Sequence, residues 1–208
     1  MSIVTRWWFI RHAPVINPKG VIYGQLDLEA DVTDSSLFTP VARTLPPDAH
    51  WLVTPLSRTQ ATAKAVQVAA AIDRPLEVEP AFIEQSFGAW QGRTHQEVYA
   101  GMPARHPFWL APADTRPPGG ESFVEVVRRV GPAIDMLSDA HGAKDIVCVA
   151  HGGSIRAAVA HALGLTPEAG LQLVIDTVSL TRIDRIVSGE AAPAYRVGLV
   201  NWTALGRV

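Results

Sequence analysis

Trp7-Trp8-Phe9-Ile10-Arg11-His12 passes from four consecutive bulky apolar residues straight into a guanidinium and an imidazole. A short apolar run without polar alternation reads as a strand buried on both faces. Two other runs share its character, His50–Thr54 (HWLVT) and Ile146–Ala150 (IVCVA). Each also ends against residues able to do chemistry: Pro55-Leu56-Ser57-Arg58 follows the second run, and His151-Gly152-Gly153 follows the third.

Helical patterns separate these runs. Ser57–Ala71 is rich in alanine and places Ala61, Ala65, Val68 and Ile72 at a spacing near 3.6. Ser122–Leu137 sets Phe123, Val126, Val127, Val130, Ile134 and Leu137 on one side, with Pro132 expected to kink it. Ile155–Leu163 reads as a third helix stopped by Gly164 and Pro167. Thr177–Ile186 and Tyr195–Trp202 alternate apolar and polar residues, as strands with one wet face do. The pattern implies an α/β fold, a three-layer α/β/α sandwich around a mainly parallel, mixed sheet. Right-handed crossovers would bring the strand C-terminal ends to one edge, where such sheets hold their ligands.

Two stretches interrupt the alternation, Asn17–Asp34 and the proline-rich Gly101–Gly120. Long ordered loops in a compact domain are usually functional. Residues 1–208 are read as one domain carrying both, with substrate specificity expected in these loops and Arg116 as the basic residue in the heart of the second.

Composition narrows the function. With 48% apolar and 18% charged residues among 208, the chain is not disordered. Eighteen basic against twenty acidic residues give a net charge of −2, which argues against nucleic acid as partner. No apolar run approaches the roughly 20 residues of a membrane span, and Met1–Ile10 lacks the features of a signal peptide. Cys148 is the sole cysteine, so no disulfide can form within the chain; it reads as a core residue, and a cytoplasmic location is the expectation.

Arg11-His12 and His151-Gly152-Gly153 fall at equivalent strand ends, and Arg58 reaches the same edge. Singly, an Arg-His pair is a strand-end feature, His-Gly-Gly a tight turn into a helix, and Arg58 a solvated helix-start residue. Together, two imidazoles, two guanidiniums and a helix N-terminus at Gly152 and Gly153 suit a phosphate-sized dianion. His50, His95, His106, His141 and His161 lack ligand spacing and are read as surface or core histidines. No His-Glu-x-x-His or paired-cysteine pattern occurs, so neither a metal nor a cofactor is expected.

Trp8-Phe9-Ile10-Arg11-His12 resembles the opening motif of the histidine phosphatase superfamily, the phosphoglycerate-mutase-like proteins. Val53–Ala63 resembles its Ser-Pro-Leu-x-Arg-x-x-x-Thr-Ala stretch, and Ile83–Gly92 its Glu-x-x-x-Gly-x-Trp-x-Gly stretch. Pro118–Phe123 and Val149–Arg156 complete an ordered series over residues 7 to 156. The resemblance implies a phosphoglycerate-mutase-like fold and a metal-independent phosphomonoesterase. Its substrate would be a small phosphorylated metabolite and its product inorganic phosphate, with the chain a monomer or homodimer. In that scheme His12 is the phosphorylated nucleophile, Arg11, Arg58 and His151 hold the phosphoryl oxygens beside Gly152, and Glu84 is the proton donor. Phosphoryl transfer back to a substrate hydroxyl, as in the mutases, is one alternative; a non-catalytic phospho-ligand-binding module is another.

The chain departs from the family pattern in three places. Ala13-Pro14 replaces the usual glycine after the histidine. The Leu-Thr-x-x-Gly-x-x-Gln-Ala segment is reduced to Val32-Thr33-Asp34-Ser35. Asn17 lies near, not at, the position of a phosphate-contacting asparagine. Val21–Asp27 resembles the Tyr-Gly-x-x-Asp loop of alpha-ribazole-phosphatase-like members, which makes Tyr23 a further candidate for substrate contact.

Overall fold

A computed structural model of the chain describes residues 2–102 and 105–203; Pro103 and Ala104 of the expected lid lie outside the described residues. In chain order the elements are β1 (Ser2–Arg11), α1 (Thr39–Thr44), β2 (His50–Val53), α2 (Ser57–Ala70), β3 (Leu76–Val78) and α3 (His95–Tyr99). There follow α4 (Phe123–His141), β4 (Asp145–Ala150), α5 (Gly152–Leu163), α6 (Pro167–Gly170), β5 (Leu180–Ser188) and β6 (Ala194–Trp202).

The strands form one sheet in the order β3-β2-β4-β1-β5-β6. The β3, β2, β4 and β1 strands run parallel; β5 pairs antiparallel with β1, and β6 pairs antiparallel with β5. This is the mixed sheet that the sequence implies. Period-two alternation in β1 sorts its side chains between the two faces. Trp7 and Phe9 pack with Phe123, Val126, Ile134 and Val159 of α4 and α5. Trp8 and Ile10 pack with Val41, Ala63 and Val66 of α1 and α2. Cys148 is buried on the Trp7 side, where burial pushes its thiol pKa well up.

Register fixes the site. Arg11 pairs with Ala150 and Val53 with Val149, so β1, β4 and β2 end together. The His12 N–H donates to the Ala150 carbonyl at 3.0 Å, which continues the ladder one residue past the strand.

Three details refine the sequence reading. The α4 helix runs from a Ser122/Glu125 capping box to His141 with Pro132 inside it. The β5 strand begins at Leu180, not Thr177, because Val178 turns through φ +56° and donates its N–H to the Arg11 carbonyl at 2.9 Å. Ala13 is absent from the positive-φ residues, so the turn after His12 accepts an alanine; its N–H donates to Thr62 Oγ1 at 2.9 Å.

Candidate active site

His12 is 1% exposed, and its Nδ1 lies 2.7 Å from the Ala13 carbonyl oxygen. A carbonyl only accepts, so Nδ1 carries the proton and Nε2 keeps its lone pair. Nε2 is buried and has no hydrogen-bond partner among the described residues. Burial first, then the charges of Arg58 and Arg11, push the His12 pKa down to about 3 against a smaller opposing pull from the Ala13 carbonyl. At neutral pH the ring is therefore a neutral imidazole with one bare nitrogen, the form that can attack an electrophile.

His151 faces it at the end of β4. Arg58 Nε donates to His151 Nδ1 at 3.3 Å, so the neutral ring bears its proton on Nε2, 2.9 Å from Thr54 Oγ1. The chain of hydroxyls continues to Thr59 Oγ1 at 3.1 Å and on to the Leu56 carbonyl at 2.9 Å. Burial first, then the neighbouring His12 and the charges of Arg58 and Arg11, hold the His151 pKa well below its ordinary value.

Arg58 is fully buried at the start of α2. Its Nη1 and Nη2 donate to the Leu26 and Gly24 carbonyls at 2.8 and 2.5 Å, and its Cζ sits 5.1 Å from the Tyr23 ring centroid. The 17–34 loop is thereby folded onto the arginine. Arg11 donates through Nη1 to the Ile175 carbonyl at 2.6 Å, while its buried Nε has no partner among the described residues.

Glu84 arrives from a different direction, after a 3₁₀ turn at Pro80–Phe82. Its Oε1 accepts from the N–H groups of Gln85 at 2.9 Å and Gly153 at 3.1 Å, the latter in the first turn of α5. A Cβ on Gly153 would collide with that oxygen, so the close approach requires glycine. From behind, Arg129 of α4 donates to the Ala81 and Ile83 carbonyls at 2.6 and 2.7 Å and pairs with Glu121 at 2.9 Å.

Arg11, Glu84, Gly152 and Tyr23 line a cavity of about 370 Å³. His12, Arg58 and His151 are buried and do not line it; His12 and Arg58 lie against the ring of Tyr23, which does. Arg11, His12, Arg58, Glu84, His151 and Gly152 thus converge from separate segments. Tyr23 joins them, its ring edge-on to His12 with centroids 6.4 Å apart.

Other candidates stand apart. Asn17 does not line the cavity, because both ends of its amide bind the Val21 backbone, at 2.8 and 3.1 Å. Arg116 also faces away, donating to the Gly120 carbonyl at 2.8 Å and pairing with Glu125 at 3.3 Å. His95 and His106, read from sequence as bystanders, line the cavity instead, as do Trp109 and Arg156. Trp109 and the histidines come from stretches without periodicity; Arg156 closes the last matched motif, four residues beyond Gly152, and its position on that helix was the available signal.

Among the described residues, no group of three or more His, Cys, Asp or Glu side chains could hold a metal ion. Nor is any helix among them long and apolar enough to cross a membrane.

The family model for the histidine phosphatase superfamily, branch 1, matches residues 7–195. The chain belongs to that superfamily. A bifunctional protein of Mycobacterium tuberculosis is 33% identical over 72% of this histidine phosphatase chain, which spans only 39% of that relative's length. A glucosyl-3-phosphoglycerate phosphatase of Mycolicibacterium vanbaalenii is 31% identical over 78% of this chain and 76% of its own. A solved mycobacterial glucosyl-3-phosphoglycerate phosphatase in complex with inorganic phosphate superposes with a TM-score of 0.76 at 26% identity, over 96% of this chain and 98% of that one.

Proposed function

We propose that this chain is a single catalytic domain that hydrolyses small phosphomonoesters through a phosphohistidine. The observation that carries the reading is His12: a buried, neutral imidazole whose bare Nε2 stands beside two arginines. A phosphate dianion held by Arg11, Arg58 and the Gly152 end of α5 has its charge matched and its equatorial oxygens fixed. Nε2 of His12 forms the N–P bond as the ester P–O bond breaks, and the leaving oxygen takes the proton of Glu84. Glu84, now a carboxylate, then removes a proton from water, whose oxygen attacks phosphorus. The N–P bond breaks, phosphate leaves, and His12 is again neutral.

The likeness to proteins named glucosyl-3-phosphoglycerate phosphatase supports a phosphorylated metabolite as substrate. The same reading places the chain with such metabolites in the cytoplasm. The test is phosphate release from a panel of phosphomonoesters with EDTA present, comparing wild type with His12→Ala. Release that survives EDTA and disappears in the variant is expected. Release by His12→Ala at the wild-type rate would overturn the reading.

A further inference from the structure

Arg156 is the charged residue of the cavity that the mechanism above does not use. It is 9% exposed and makes no ion pair among the described residues, although Glu84 and Asp176 are near enough to act on its charge. Its Nε donates to the Leu173 carbonyl at 2.7 Å, and its guanidinium lies over the Trp109 ring, Cζ 4.6 Å from the centroid. Two contacts therefore fix the plane, and the terminal nitrogens have no hydrogen-bond partner among the described residues. One of them, Nη1, lies 3.0 Å from the point where a Cβ on Gly152 would stand, and Arg11 Nε lies 3.5 Å from the same point. The two guanidiniums approach Gly152 together, so Arg156 borders the phosphoryl site.

Its place is on the leaving-group side. Trp109 donates to Gln85 Oε1 at 3.1 Å, and Gln85 follows the proton donor Glu84 in the chain. Trp109 also approaches Gly153, to which Glu84 is bonded. The charges of a phosphate dianion are already matched by Arg11 and Arg58. Neither Glu84 nor Asp176 comes within ion-pair distance of Arg156, and a buried cation without a paired carboxylate favours an anion beside it. One remaining positive charge and two terminal nitrogens match a carboxylate, which takes paired N–H donors; a second phosphate dianion would require a further cation.

We propose that Arg156 is a specificity-determining residue that binds a carboxylate on the alcohol portion of the substrate, so that the preferred phosphomonoesters are phosphorylated hydroxy acids. This rests on the hydrolase reading for the identity of the phosphoryl site, and it deepens that reading.

The test uses binding of two inert phosphonates, 4-phosphonobutyrate and butylphosphonate, which differ by the carboxylate. Calorimetry on the wild-type chain should show 4-phosphonobutyrate binding about tenfold tighter or more, as one well-formed charge-assisted pair allows. Arg156→Met should bring the ratio near one, and Arg156→Lys should keep part of it. Equal wild-type affinity for both phosphonates would overturn the proposal without recourse to any variant. So would an Arg156→Met chain that weakens both alike, since the arginine would then serve the phosphoryl group or the fold. Turnover of p-nitrophenyl phosphate is measured beside it: its absence counts against the hydrolase reading, whereas the binding ratio decides Arg156.

Discussion

The rings of His12 and His151 lie with centroids 5.2 Å apart, inclined at 59°, and Arg58 is close to both. Two imidazoles so placed, both buried, are strongly disfavoured as a pair of cations. The surroundings divide their roles. His12 gives its one proton to the Ala13 carbonyl and keeps a bare nitrogen, while His151 is tied at both nitrogens, to Arg58 and to Thr54.

The pH dependence of stability follows from that arrangement. An unfolded His12 takes a proton as pH falls through 6.5, but in the fold it does so only near 3. A lowered folded pKa contributes stability that is fully present above 6.5 and is lost as pH falls toward 3. His12 adds a slope of up to about 1.4 kcal/mol per pH unit inside that window, and His151 acts in the same direction. Urea unfolding at pH 7 and pH 5 should show a marked loss for wild type and a smaller one for His12→Asn. Identical slopes would contradict the neutral, buried His12.

Glu84 should matter in proportion to how much its proton is required. An alkoxide leaving group needs protonation, so Glu84→Gln is expected to lower kcat/KM, which reports formation of the phosphohistidine, by about 10²–10⁴ for alkyl phosphates. p-Nitrophenolate departs unprotonated, and its ester should lose far less. Gly153→Ala should reproduce the pattern more weakly, because the added methyl would drive Glu84 Oε1 from its seat on α5. Values of kcat/KM on both ester types check this; equal losses in kcat/KM on both would deny Glu84 the role of acid.

The strands of the site were legible because β1, β2 and β4 are buried on both faces, and burial on both faces leaves an uninterrupted apolar run. Residues just beyond such runs are brought together by register, so Arg11, His12, Arg58 and His151 could be placed from their positions alone. The α3 helix has five residues and β3 three, too short for periodicity to register. Trp109 and His106 were illegible for another reason. Their stretch is placed by tertiary contacts, such as Trp109 Nε1 to Gln85 and His106 to Glu168, which local sequence does not encode. Asn17 shows the converse: an amide suited to an anion is consumed by its own loop.

Thr54 should act as a positioning residue. Thr54→Val removes the acceptor for His151 Nε2–H and leaves a buried donor unpartnered, a cost of about 1–3 kcal/mol. If that cost falls on the transition state, kcat/KM should drop roughly 10- to 100-fold. Thr54→Ser restores the hydroxyl and should recover most of the rate. Failure of serine to rescue would assign Thr54 to packing rather than to the orientation of His151.

Arg58→Lys separates charge from geometry at the same site. Lysine keeps a positive charge, but it is a compact ammonium without the planar fork that here reaches the Gly24 and Leu26 carbonyls and His151 together. Two consequences should appear in one variant. Inhibition by inorganic phosphate should weaken by about tenfold or more, since the planar, paired donors are lost. The Leu26 amide, which donates to the Tyr23 carbonyl at 2.6 Å, should exchange its hydrogen faster as the loop is released from the guanidinium. Weaker inhibition with unchanged exchange would mean that the arginine serves the phosphoryl group alone. Faster exchange with unchanged inhibition would mean that its carbonyl contacts are structural and that Arg11 suffices for the anion.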